Sequence, residues 1–141
     1  MAGIKIRTSE ELIRKLERLS GQDADEVAKR AVYVGAGYMA ERVKESLRSV
    51  VSENATGDLE KSLGITPIKL NRNGDWAAKI GFSGYDRKGT SNILKARVLE
   101  SGSSKQQKRP FVSTALKRYR KIAQERMKNE AEITIDKILE G

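Results

Sequence analysis

Apolar residues recur three or four positions apart along two long stretches of this chain, and that spacing limits the fold more than any other feature. The first stretch carries Ala28, Val32, Ala36, Met39, Val43, Leu47 and Val50. The second carries Val112, Leu116, Tyr119, Ala123, Met127, Ala131, Ile135 and Ile138. A stripe of this kind covers one face of a helix and has to be buried against something. The spacing predicts one helix over about residues 23–51 and another over 110–139. Asp23 is the expected N-cap of the first, with Glu26 three residues on. Pro110 suits the first turn of the second, where a missing N–H is not needed. Gly35 and Gly37 each cost roughly 1 kcal/mol against Ala inside a helix. Either they mark a close crossing of another backbone, or packing elsewhere tolerates them.

Ahead of the first long stripe, Ile4 and Ile6 alternate with Lys5 and Arg7 as a brief extended segment. Thr8-Ser9-Glu10-Glu11 reads as a capping box. It opens a helix striped by Leu12, Ile13, Leu16 and Leu19, with Gly21 as a left-handed cap at its end. Residues 52–55 form a loop. Between the long helices the period changes to two: Leu63, Ile65, Ile68 and Leu70, then Trp76, Ala78, Ile80 and Phe82. Asn73-Gly74 is the hairpin turn between them, and Pro67, out of phase, calls for an edge strand or a bulge. A lone hairpin over 63–82 is marginal in water. It therefore lies on the helices, or continues into a sheet with the N-terminal strand or a neighbouring subunit. Trp76 shares a strand face with Ile80 and belongs to the core or an interface. Residues 83–92, SGYDRKGTSN, form a polar loop whose one apolar anchor is Tyr85, and mobility is expected there in an isolated subunit. Ile93, Leu94, Ala96, Val98 and Leu99 suit a short helix capped by Ser91 or Asn92. A second polar loop, SGSSKQQK, follows over 101–108. The pattern is α+β: long helices, an N-terminal pair and a C-terminal one, packed on a small antiparallel sheet containing a hairpin, in a single domain over residues 1–141.

Composition narrows the chemistry. The chain has no Cys and no His, so disulfides, most transition-metal sites and every His-dependent triad are excluded. No acids cluster at metal-ligand spacing, and neither GxxxxGK[ST] nor GxGxxG occurs. No catalytic, cofactor-binding or metal site is expected, and the chain reads as a non-enzyme. No apolar run approaches a membrane span, and the N-terminus MAGIKIRTSEEL has no signal-peptide apolar region. A soluble protein made in a cytoplasm is the expectation. The net charge of +9 is uneven: residues 1–70 are nearly balanced at about +1, and residues 71–141 hold about +8. The excess, between Arg87 and Lys128, attracts phosphate backbones or an acidic protein partner. Lys117, Arg118, Arg120 and Lys121 form its densest run. They go round a helix rather than along one face, and aromatic residues make up only 5% of the chain, which gives little support for stacking on bases. A solvated helix face is the commoner state of such a run. In a ring, the same residues would line a channel for DNA.

Glu100-Ser101-Gly102, then Arg109-Pro110-Phe111, then Ala115-Leu116 form the most specific order of residues in the chain. With Thr56-Gly57-Asp58-Leu59-Glu60-Lys61-Ser62-Leu63, they resemble the neck or tail-component proteins of long-tailed bacteriophages and their prophages. In that family a Glu-(aromatic or small)-Gly element leads through a variable loop to a Pro-Phe at the start of the C-terminal helix, and a Thr-Gly-x-Leu-(basic)-x-Ser-(apolar) element stands between the long helix and the sheet. Ser101 departs from the aromatic often found before the Gly. Lys108-Arg109 departs from a Pro- or Ala-rich lead-in. The resemblance implies a structural virion protein of the head–tail junction, a neck or tail-completion ring subunit that helps join the DNA-filled head to the tail. Its partners would be further copies in a homo-oligomeric ring, connector or head-closure proteins, and tail-terminator or tail-tube proteins, with non-specific contact to packaged DNA and none to membrane. It would be made in the host cytoplasm and reside in the virion. The candidate oligomer or partner contacts are Arg87, Lys88, Glu100, Lys105, Lys108, Arg109 and Phe111, although Phe111 also reads as a core anchor. Glu100 has Arg97, Arg109 or a neighbouring subunit as prospective partners. Lys117, Arg118, Arg120 and Lys121 are the candidates to face DNA. Both polar loops are expected to order on assembly. The alternative function is a small basic nucleic-acid-binding protein.

Overall fold

A computed structural model describes residues 10–51 and 55–140 of the chain. The extended segment at Ile4 and Ile6, the Thr8-Ser9 end of the capping box and loop residues 52–54 lie outside the described residues, as do the side chains of Leu12 and Ile13. The elements run α1 (Glu10–Glu17), α2 (Gly21–Val50), α3 (Asp58–Lys61), β1 (Leu63–Ile65), β2 (Lys69–Leu70), β3 (Trp76–Ala77), β4 (Ile80–Phe82), α4 (Asn92–Ser101) and α5 (Val112–Glu140). This is the expected α+β arrangement of long helices and a small antiparallel strand set. No described helix is long and apolar enough to cross a membrane.

The two stripes face each other. α2 and α5 pack antiparallel, so the apolar residues divide into two clusters along the pair. One holds Met39, Val43 and Leu47 with Phe111, Ala115 and Ala123. The other holds Val27, Ala31 and Ala36 with Met127, Ala131 and Ile135. Small residues, mostly alanines, let the helix axes come close. Against the first cluster Tyr38 and Tyr119 meet edge to face, ring centres 6.3 Å apart, with the Arg126 guanidinium 4.5 Å from the Tyr38 ring centre. The strand segment also packs on α2: Leu63 of β1 and Phe82 of β4 join the first cluster, and Ala78, between β3 and β4, joins the second.

Gly35 packs closely, but against a side chain and not against the backbone that its sequence position suggested. A Cβ there would fall 2.6 Å from Met127 Cγ and nearer still to Sδ, whereas at Gly37 it would meet nothing within 4 Å. Alanine normally stabilises a helix interior by about 1 kcal/mol over glycine. Here the overlap with a fully buried methionine outweighs that gain, because overpacking costs about 1–3 kcal/mol. Gly35→Ala is therefore expected to lower stability by about 1 kcal/mol net. In a Met127→Ala background the same change should raise it. Urea denaturation of the four-member cycle checks both signs. Stabilisation by Gly35→Ala in the wild-type background would contradict the packing argument.

The start of α2 differs from expectation. Ser20, in extended backbone, is the N-cap and accepts the Asp23 N–H at 3.2 Å. Asp23 consequently sits inside the first turn, where a carboxylate suits the helix dipole. Gly21 opens α2 and is not a left-handed cap of α1. The serine hydroxyl is already placed to satisfy a free N–H, and it outcompetes the residue three positions later. Pro110 is likewise displaced. α5 begins at Val112, and the first intrahelical bond runs from the Ala115 N–H to the Phe111 carbonyl, so the proline stands one residue before the cap.

The hairpin is broken once. β1 pairs with β4 from Leu63↔Phe82 to Ile65↔Ile80, and β2 pairs with β3 through Lys69↔Ala77 and Leu70↔Trp76. Thr66 still meets Lys79, donating its N–H at 2.8 Å. Pro67 and Ile68 then face Ala78 alone, which makes the bulge that an out-of-phase proline calls for. Gly74, at φ +79, supplies the tip. Before β1, Gly57 at φ +83 turns the chain into α3, and buried Leu59 anchors it.

Candidate assembly interface

The helix pair positions two loops at the end where α2 finishes and α5 starts. The first spans 83–91. Asp86 organises it: one carboxylate oxygen accepts the N–H groups of Lys88 and Thr90 at 2.9 and 2.8 Å, and the other accepts Lys95 Nζ at 2.8 Å. Lys95, and then the Thr90 N–H, hold Asp86 below the ordinary aspartate pKa. The adjacent Arg87 reaches back to α3. Its guanidinium bonds both oxygens of Asp58, at 2.9 and 2.8 Å, and its backbone N–H adds a third bond at 3.1 Å. This fork geometry drives the Asp58 pKa well below the usual range, the side-chain bond contributing most. Tyr85, the presumed anchor, is 75% exposed. The loop is instead tied down by polar bonds, and by Ser91, which pairs with Tyr85 and caps α4 by accepting the Leu94 N–H.

The second loop joins α4 to α5. Gly102 sits at φ +80, a conformation that strains any side chain, and a Cβ there would stand a tight 3.0 Å from the Lys108 nitrogen. The Arg109 N–H bonds the Leu99 carbonyl, and its guanidinium donates to the Val50 carbonyl at the end of α2, 3.1 Å away. Glu100 has a role that the sequence reading did not assign. Its carboxylate accepts the N–H groups of Phe111 and Val112 at 2.9 Å and of Ser113 at 3.0 Å. One side chain thus caps α5 from a different helix, satisfying donors that the helix itself leaves free. Burial pushes the Glu100 pKa up, but these backbone donors outweigh it and leave it below the ordinary glutamate value.

Between the loops lies an open groove of about 540 Å³. Leu47, Val50, Val51, Leu94 and Val98 give it an apolar floor, and Arg87, Lys88 and Arg109 stand on its rim. Three of the sequence-selected contact residues therefore converge on one feature. Lys105 and Lys108 are exposed on the second loop beside it. Glu100 and Phe111 do not belong to the surface set. Within the chain Glu100 holds the α5 cap and makes no ion pair with Arg97 or Arg109. Phe111 is 0% exposed and meets Phe82 edge to face, ring centres 5.8 Å apart. Lys117, Arg118, Arg120 and Lys121 are all exposed on the first turns of α5. No described cluster of His, Cys, Asp and Glu is placed to hold a metal. Sequence reasoning missed the apolar floor. Its signal was α4 itself, where Ile93, Leu94, Val98 and Leu99 spread too far round a short helix for one core to cover them, and Leu94 is left 52% exposed.

Residues 10–102 match the family model described as "Bacteriophage HK97-gp10, putative tail-component". No curated protein and no solved structure matches the chain. The matched residues run from α1 to the end of α4 and take in both ladders, the Asp58–Arg87 pair and nearly all of the groove. The chain thus belongs to the HK97-gp10-like family of phage tail components.

Proposed function

We propose that the chain is a structural subunit of the phage head–tail junction. It works in a ring of like subunits, in the neck or at the proximal end of the tail, and helps join the DNA-filled head to the tail. Its work is binding, not catalysis. Its partners are further copies of itself, the connector or head-closure protein on one side and the tail-terminator or tail-tube protein on the other, and it acts in the virion.

The observation that carries this reading is the extent of the family match: every groove-lining residue except Gln106 and Arg109 falls within 10–102. We read the open, apolar-floored groove with its charged rim as a surface that docks protein, the charges steering a partner of opposite sign. Arg87, Lys88 and Arg109, with Lys105 and Lys108 nearby, are the proposed contact residues. Lys117, Arg118, Arg120 and Lys121 attract the packaged DNA without reading its sequence. Deleting the gene from its phage or prophage tests the whole reading. Electron microscopy of lysates should show filled heads and tails that are not joined, and supplying the gene in trans should restore virions. Joined particles in normal yield would overturn it.

A further inference from the structure

We propose that the groove receives the acidic end of α5 from a second copy of this chain. The contact rests on the ring reading above and supplies its subunit-to-subunit joint. The two surfaces lie at opposite ends of the α2–α5 pair. The groove is built on Leu47, Val50 and Val51, where α2 finishes. The end of α5 lies beside the start of α2, as the Lys15–Asp136 ion pair at 3.2 Å and the shared burial of Val27 and Ile135 show.

Their chemistry is complementary. On the rim, Arg87 and Lys95 are matched by Asp58 and Asp86, and the third lining carboxylate, Glu60, is matched by Arg48 of α2. Lys88 and Arg109 have no carboxylate partner among the described residues. Lys105 and Lys108 extend the positive surplus. The last turns of α5 have the opposite sign. Glu130, Glu132, Asp136 and Glu140 face Lys137 alone, about −3 in a chain whose total is +9. Glu132, Asp136 and Glu140, spaced four apart, share the outward side with Ile133 and Leu139, which are 50% and 37% exposed. An acidic helix bearing exposed apolar side chains fits an apolar groove with a basic rim, by the same logic as other helix-in-groove contacts. The contact uses two different patches, so repeating it generates a closed ring, or a filament where the rotation does not close.

Sedimentation velocity on the full chain, over a concentration series at low and high salt, tests this with two charge-reversed variants. One is Lys88→Glu with Arg109→Glu. The other is Glu132→Lys with Glu140→Lys, which leaves the Lys15–Asp136 pair intact. Circular dichroism confirms that each is folded, and Lys88→Glu alone replaces the first should loss of the Arg109–Val50 bond unfold it. The wild type should self-associate, less so at high salt. Each variant alone should associate at least about tenfold more weakly. An equimolar mixture should recover association, because each altered surface meets an opposite charge on the other variant. Wild-type association with unaffected variants, or no recovery in the mixture, overturns this contact and leaves the ring reading standing. A wild type that stays monomeric at every concentration overturns both.

Discussion

Phe111→Ala is expected to destabilise the protein by about 4 kcal/mol, the range for deleting a fully buried aromatic ring. In a chain of this size that lowers the melting temperature by roughly 10–15 °C. Phe111 is the meeting point of three elements. Its ring packs on Phe82 of β4, its carbonyl accepts the Ser46 hydroxyl of α2 at 2.7 Å, and its own N–H is held by Glu100 of α4. Truncation leaves a cavity between the strands and the helix pair that backbone bonds on either side keep from collapsing. Phe111→Leu, which refills most of the volume, should cost about 1–1.5 kcal/mol. Urea denaturation measures both. A loss below about 1 kcal/mol for the alanine variant would mean that the ring is not the core anchor its burial indicates.

Glu100→Ala comes next, with an expected loss of about 2–3 kcal/mol, as for hydrogen bonds to a charged acceptor. The three N–H groups at the start of α5 lose their acceptor together. Glu100→Gln keeps one good acceptor oxygen and should lose about half as much. The pH dependence identifies the mechanism. The folded-state pKa lies below the ordinary glutamate value. The charge-dependent stabilisation is therefore complete above that value and is lost as pH falls through the folded one. The gap in stability between wild type and Glu100→Gln should be widest near neutrality and narrow in acid. A gap that does not change with pH would mean that the ionised cap contributes nothing.

Much of this was legible in the residues. The period of Val32, Ala36, Met39 and Val43 and that of Ala123, Met127, Ala131 and Ile135 specify two helices, because a face buried against a single neighbour leaves a regular trace. Asn73-Gly74 and Pro67 gave the hairpin tip and its break, since each restricts the backbone locally. Arg87, Lys88 and Arg109 were selected as contacts from loop position and charge, and they converge on one groove. What stayed hidden depends on partners distant in sequence. Nothing around Glu100 announces that its acceptors will meet the amides of residues 111–113. Asp58 and Arg87 are far apart in the chain and come together only when α3 and the 83–91 loop share a wall. Ser20 and Asp23 both make good caps on composition, and only the geometry of the preceding turn decides between them.

The side-by-side packing of α2 and α5 has a mechanical consequence. α2 alone has 30 residues, about 45 Å at the helical rise. Two such rods locked along their length bend much less than one. Surfaces carried at their tips are therefore held at a set spacing, so the pair serves as a ruler: a pull on one tip moves the other with little lost to flexing.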